Sequence, residues 1–284
     1  MVVVTPSYAA DHDLLVDLHE SVLSCFPVSV SHLVVTPERD VNLFRPLEGP
    51  RCTVVSVPEV MPMRLWPAPF ANAWLNPRKP IPPIRGWIMQ QLVKLGAASQ
   101  AQEQIVVLAD ADVTFVRKVT AETFAPGDRI RFYRKDGAVD QTLPRHIRWH
   151  AAARTLLGLP GSPEPPLPDY ISALNTWDRD VVRACLGRVS EVGSRPWAEL
   201  VSRFVHFSEF ILYGVHRDND PDRDLDADTD DSMCLSYWET TPLDDVSSEE
   251  LGRRLSPTDV AVMISAKSGT TLPVRRRLVA SLRG

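Results

Sequence analysis

The chain has 284 residues, 44% of them hydrophobic and 24% charged. That balance fits a soluble globular protein with a sizeable core and excludes a fibrous or disordered chain. The formal net charge of −5 excludes the broad basic field of a general nucleic-acid binder, but not a single nucleotide held by a few local cations.

The first elements are short and apolar. Val2-Val3-Val4 reads as a buried strand stopped by Thr5-Pro6-Ser7. Leu14, Leu15, Leu18 and Val22 then recur at helical spacing, with Asp11 or Asp13 as the cap. His32 to Val35 and Thr53 to Val57 predict two more strands. Strand–helix–strand order of this kind predicts a parallel, doubly wound sheet. Residues Pro58 to Pro83 are proline-dense and carry Trp66, Phe70 and Trp74. They read as a long loop over the carboxyl edge of the sheet; a linker is the alternative, and the tryptophans weigh against it.

A helix is expected from Arg85 to Leu95, then strands at Ile105 to Leu108 and Ile130 to Tyr133. The second half is less regular. Arg145 to Leu157 reads as a helix, Pro160 to Pro168 as a loop, Tyr170 to Leu174 as a strand and Asp178 to Val189 as a helix. Pro196 to Val205 predicts a further helix, and Val260 to Ile264 a late strand. Asp218 to Asp231 is an acidic run. Leu225 stands where a calcium loop needs glycine, so a solvated, poorly ordered surface loop is expected there.

Cys25, Cys52, Cys185 and Cys234 form no CxxC pair. Neither a zinc site nor a disulfide framework is indicated, and reduced, buried thiols of a cytoplasmic protein are expected. No apolar run reaches the ~18 residues of a spanning helix. The N-terminal residues lack the basic and longer apolar regions of a signal peptide. The C-terminal stretch with Arg275-Arg276-Arg277 suits either peripheral contact with an anionic membrane or plain solvation, the commoner case.

Three stretches carry chemistry. Asp110-Ala111-Asp112 follows an unbroken apolar run. Carboxylates are rarely buried unless paired or bound to a cation, and Mg²⁺ and Mn²⁺ favour carboxylates together with substrate phosphates. The pair therefore predicts a metal–diphosphate site at the carboxyl edge of the sheet. On the preceding helix, Ile88, Leu92 and Leu95 form one stripe, while Trp87, Gln90, Gln91 and Lys94 form its neighbour. That places amides and an ammonium beside the carboxylates, with Arg85 at the helix start. In Phe207-Ser208-Glu209-Phe210-Ile211-Leu212-Tyr213-Gly214, the aromatic and aliphatic flanks predict a desolvated glutamate of raised pKa, fit for a general base or for sugar hydroxyls. A glutamate at a helix start is the alternative.

The order of these features resembles the GT-A class of nucleotide-sugar glycosyltransferases, and more narrowly a bacterial family of that clan catalogued as a domain of unknown function. The resemblance is carried by Val3 to Tyr8, Arg85 to Leu95, Ala109 to Asp112, Tyr170 to Trp177 and Ser208 to Gly214, and fades after Gly214. It implies a GT-A-like (Rossmann-like) α/β/α sandwich with a mostly parallel central sheet. It also implies that Thr5, Pro6, Ser7 and Tyr8 lie against the nucleoside. Arg85, Gln91, Lys94, Asp110 and Ala111 would line the donor site, and Asp110 and Asp112 would hold Mn²⁺ or Mg²⁺. Asn175 and Trp177 would face donor sugar or acceptor, and Glu209 would be the catalytic acidic residue. Ser265 and Lys267, following the last strand, are added here as a strand-end hydroxyl and cation within reach of a diphosphate. The chain lacks the His-x-x-Gly-x-x-Lys-Pro-Trp element of one retaining group, which leaves the stereochemical outcome open.

The expectation is therefore a single domain over 1–284. A nucleotide-sugar-binding half (1–135) and an acceptor-facing half (136–284) carrying the acidic loop 218–231 would transfer a sugar from a nucleotide-sugar donor to an acceptor hydroxyl. No nucleic-acid partner is expected. A sugar-nucleotide pyrophosphorylase or other nucleotidyltransferase ranks lower, because the first-strand loop Thr5 to Asp11 has no Gly, Arg or Lys. A non-catalytic binding protein on a transferase scaffold is the third reading.

Overall fold

In the computed structural model, residues 1–68, 73–76 and 79–283 are described, with backbone alone for 79–82. The chain begins with β1 (Val2–Pro6), α1 (His12–Cys25), β2 (Ser31–Thr36), α2 (Val41–Phe44), β3 (Cys52–Ser56) and α3 (Val57–Val60). There follow β4 (Trp66–Pro67), β5 (Ala73–Asn76), β6 (Lys79–Arg85), α4 (Gly86–Gln100), β7 (Ile105–Ala109) and β8 (Val113–Phe115). Next come α5 (Ala121–Phe124), β9 (Phe132–Tyr133), β10 (Lys135–Val139), α6 (Pro144–Leu157), β11 (Leu167–Asp169), β12 (Leu174–Asp178) and α7 (Arg179–Gly193). The remainder is α8 (Trp197–Val201), α9 (Glu209–Asp218), β13 (Asp228–Thr229), β14 (Cys234–Tyr237), α10 (Asp245–Gly252), β15 (Ala261–Ile264) and α11 (Leu272–Arg283).

The central sheet runs β3-β2-β1-β7-β12. Its first four strands are parallel, and β12 is antiparallel to β7. All five residues of β1 are buried, as a strand covered on both faces requires. On one face Leu15, Leu18 and Val22 of α1 share a core with Val3, Val34 and Val107. On the other, Ile88, Leu92 and Leu95 of α4 share a core with Val2, Val4, Val106 and Leu108. The expected α/β/α sandwich with a mostly parallel sheet is thus observed. Strand order reverses between β1 and β7. A crevice opens outside the carboxyl ends of strands at such a point, and it is where these sheets bind ligands.

Several expectations need correction. Residues 58–83 are not a bare loop: β4, β5 and β6 form an antiparallel sheet of their own. There Trp74 is buried while Trp66 is 54% exposed; Phe70 lies outside the described residues. The strand expected at Ile130 to Tyr133 shrinks to β9, which pairs with β13 and not with the central sheet. The strand expected at Tyr170 to Leu174 begins only at Leu174. Asp169 Oδ1 accepts the backbone N–H groups of Tyr170 and Ile171, which diverts them from a ladder.

The acidic run is exposed over much of its length, including residues 219–222 and 224–226, but several of its carboxylates are paired. Asp218 and Asp228 are held by Arg134, Arg217 and Arg223, Asp224 and Asp226 by Arg129, and Asp231 by Arg131. In α11, Arg275 is buried, while Arg276 and Arg277 pair with Asp17 and Asp245. That leaves little of the free basic face a membrane would need. All four cysteines are buried and unpaired. No helix among the described residues is long and apolar enough to cross a membrane.

Candidate active site at the sheet switch point

The carboxyl end of β7 delivers Asp110, Ala111 and Asp112 into a tight turn, closed by Val113 N–H donating to the Asp110 carbonyl at 3.0 Å. The end of β1 delivers Ser7, Tyr8 and Asp11 to the same edge. The helical stripe of α4 behaves as its spacing predicts: Ile88, Leu92 and Leu95 are buried against the sheet, and Lys94 lies on the neighbouring stripe.

Lys94 is the centre of the site. It is 4% exposed, and its Nζ lies 2.9 Å from Asp110 Oδ1 and 3.1 Å from Glu209 Oε1. It also sits 4.7 Å above the ring of Phe210. Burial works against its charge, but the two carboxylates outweigh burial and hold its pKa above the ordinary lysine value. Glu209 is the first residue of α9 and is 3% exposed. Its pKa is raised, first by burial and then by Asp110, with Lys94 opposing. The Ser208 hydroxyl caps this helix by accepting from Ile211 N–H at 3.4 Å. Gln91 ties α9 to α4 by accepting the Glu209 N–H at 3.2 Å.

Asp110 remains 39% exposed at its side chain and also accepts from Gln90 Nε2 at 3.4 Å. Asp112 Oδ2 accepts the Ala266 N–H at 2.8 Å. Burial and the charge of Asp110 push the Asp112 pKa up to about 6. Asp11 joins this group. Its pKa is raised by burial and by Asp110, and is pulled back by Arg275. Arg275 donates to the carbonyls of Thr270 at 3.0 Å and Ser265 at 2.8 Å. It thereby shapes the loop that presents Ala266 to Asp112.

Asp110, Asp112, Lys94, Gln91 and Glu209 are therefore brought together. Exposed Tyr8 reports Asp11 as a charged neighbour, and exposed Lys267 is one residue beyond Ala266. Ser7 Oγ and Asn175 Oδ1 are buried with no hydrogen-bond partner among the described residues. Asn175 pairs across the sheet with Leu108, and its Nδ2 is spent on the Ser172 carbonyl at 2.8 Å. Pro6 and Ala111 are buried, and Arg85 is the exposed N-cap residue of α4.

Other expected residues lie elsewhere. Trp177 is fully buried, stacked on Tyr213 at 4.9 Å and edge-on to Phe210. Thr5 is also fully buried, with Oγ1 3.0 Å from His32 Nε2. Tyr213 and Gly214 serve packing. The Tyr213 hydroxyl accepts the Asp178 N–H at 3.1 Å, and a Cβ on Gly214 would lie 2.3 Å from the Tyr170 ring. Asp11, Ala266 and Arg275 were not singled out from sequence as site residues. Asp11 looks like a helix cap there, although its side chain makes no capping bond, and Arg275 looks like one member of a basic run.

No curated protein matches the chain in sequence. By structure it is similar to the galactosyltransferase LgtC in complex with donor and acceptor sugar analogues, with TM-score 0.48 and 12% identity over 100% of this chain and 97% of that one. It is also similar to the apo form of mouse xyloside xylosyltransferase 1, with TM-score 0.43 and 11% identity over 95% and 100% of the two chains. Residues 5–249 match the model of a family described as "Family of unknown function (DUF6492)", and the chain belongs to that family.

Proposed function

We propose that this protein is a metal-dependent glycosyltransferase that moves a sugar from a nucleotide-sugar donor to an acceptor hydroxyl. The observation that supports this most is the charge balance at the switch point. Four carboxylates, Asp11, Asp110, Asp112 and Glu209, interact there with two buried cations among the described residues, Lys94 and Arg275. Burial, and after it the charge of Asp110, pushes Asp112 up to about 6, so a cation bound there would offset both. Oxygen ligands of this kind, half-exposed at Asp110, fit a hard divalent ion such as Mn²⁺ or Mg²⁺. Held by Asp110 and Asp112, that ion would act as a Lewis acid toward the departing nucleoside diphosphate.

The protein groups take the remaining roles. Lys94 fixes Asp110 in place and adds positive charge beside it. Arg85 and Lys267 are exposed cations available to the diphosphate. Tyr8 offers an exposed ring to the base, whereas the oxygens of Ser7 and Asn175 are buried, as Glu209 is, and are assigned no direct contact with the donor. Glu209 has a side chain only 4% exposed, so we assign it to positioning Lys94 in preference to direct proton abstraction. The acceptor is assigned to the side contributed by residues 136–284. The test is a panel of nucleotide sugars with and without Mn²⁺, read by nucleoside diphosphate release and by thermal shift. At least one donor should show Mn²⁺-dependent release, and a donor at 100 times its Kd should add about 2.7 kcal/mol of stability. A panel with no Mn²⁺-dependent response in either readout removes the proposal.

A further inference from the structure

A second cluster lies inside the α1 layer, away from the aspartates. His19 comes from α1, His32 from β2 and Cys52 from β3, and all three are buried. One ligand atom from each lies within 4.8 Å of the others. The sheet register sets this up: His32 and Cys52 are direct partners across the parallel β2–β3 pair, so they share a face. The two imidazoles meet edge to edge, with their Nδ1 atoms 3.1 Å apart.

Three features suit a metal, at a separation that is also an ordinary hydrogen-bond length. First, His32 Nε2 is already engaged by the Thr5 hydroxyl at 3.0 Å. An oxygen on the outer ring nitrogen is the usual orienting partner of a metal-bound histidine, and in the tautomer whose Nε2 donates to Thr5 the Nδ1 lone pair faces His19. Second, two nitrogens ~2.0–2.1 Å from a tetrahedral ion stand roughly 3.3 Å apart, close to the distance found here. Third, Cys52 has no hydrogen-bond partner among the described residues, whereas the thiols of Cys25, Cys185 and Cys234 each reach a backbone carbonyl. A sulfur and two imidazole nitrogens form a borderline-soft set that suits Zn²⁺ and not the hard ions expected at Asp112.

We propose that His19, His32 and Cys52 bind one Zn²⁺, with a water completing the tetrahedron. Binding releases the Cys52 thiol proton and leaves both imidazoles neutral. The ion would tie α1 to β2 and β3 beneath the first-strand loop, through the His32–Thr5 contact. Zinc binding here does not depend on whether the protein transfers sugars.

The experiment uses the full chain, with any affinity tag removed. The purified protein should carry about one zinc per chain by elemental analysis. After chelation, Co²⁺ titration should produce a near-ultraviolet thiolate-to-cobalt charge-transfer band at one equivalent. Cys52→Ser should lose the band and weaken zinc binding by at least ~10-fold, whereas Asp112→Asn should keep both. Absence of the band in the unsubstituted chain overturns the proposal whatever the variants do. So does a Cys52→Ser protein that retains stoichiometric, equally tight zinc. Should Cys52→Ser fold poorly, His19→Gln is read for loss of zinc in the same way.

Discussion

Replacing Lys94 by methionine tests the centre of the site, because the structure assigns a cost to each partner left behind. Methionine keeps the length and apolar body of the side chain, so the loss is mostly electrostatic. Glu209 is 3% exposed and would be left as a buried charge without its cation, a change that typically costs about 3–5 kcal/mol. Asp110 is 39% exposed, so water screens most of its share. For a chain of this size, ~2 °C per kcal/mol gives a fall in Tm of roughly 6–10 °C. The pH dependence carries a definite sign. Burial and Asp110 raise the Glu209 pKa, while Lys94 and a backbone hydrogen bond lower it; without Lys94 the balance shifts further upward. A carboxyl whose folded pKa lies above its unfolded one favours the native state when protonated. The variant should therefore be closest to the parent at or below the ordinary carboxylate range. It should lose stability as pH rises toward the folded pKa of Glu209, and level off above it. Calorimetric melts from pH 4 to 8 measure this, with Lys94→Met/Glu209→Gln as the control that removes the orphaned charge and recovers most of the loss. A Lys94→Met protein melting within 2 °C of the parent at pH 8, with no slope below it, would falsify the buried-pair account.

Three other outcomes are expected. Asp112→Asn should abolish Mn²⁺-dependent binding of a nucleoside diphosphate by calorimetry while the chain stays folded, since Asn can still accept the Ala266 N–H; unchanged binding would remove Asp112 as a ligand. Glu209→Gln should reduce turnover by less than the ~10²–10⁴ of a lost general base and shift the pH profile little, whereas a full loss with intact donor binding would restore Glu209 as the base. If the 58–83 segment closes over the donor, donor and Mn²⁺ together should slow its proteolysis and shift emission from exposed Trp66 more than from buried Trp74; equal cleavage rates with and without ligand would argue for a passive segment.

What was legible from sequence was local. Apolar runs located β1, β2, β3 and β7, and the 3.6-residue stripe on α4 put Lys94 beside the carboxylates, because each signal needs only a few neighbouring residues. Partners distant in sequence were not legible. The acidic run reads as solvated when its charges are counted alone. Its order comes from Arg129, Arg131 and Arg134, which precede it by some 90 residues, and from Arg217 and Arg223 beside or within it. Arg275 looks free in a basic triplet, and only the loop carbonyls after β15 make it a buried anchor. Cys52 has no nearby cysteine in sequence, yet the β2–β3 register seats it across from His32.

Glu209 shows how a correct local inference leaves the chemical role to be decided by distant contacts. Phe207, Phe210 and Ile211 imply desolvation, and the carboxyl is indeed buried with a raised pKa. Desolvation alone would make it a candidate base. The same burial, with its Oε1 3.1 Å from Lys94, is what favours the positioning role proposed above. Lys94 in turn reaches the half-exposed Asp110 at 2.9 Å. Any influence Glu209 has on the sheet edge therefore passes through the ammonium, and its value lies in holding that buried charge against Asp110.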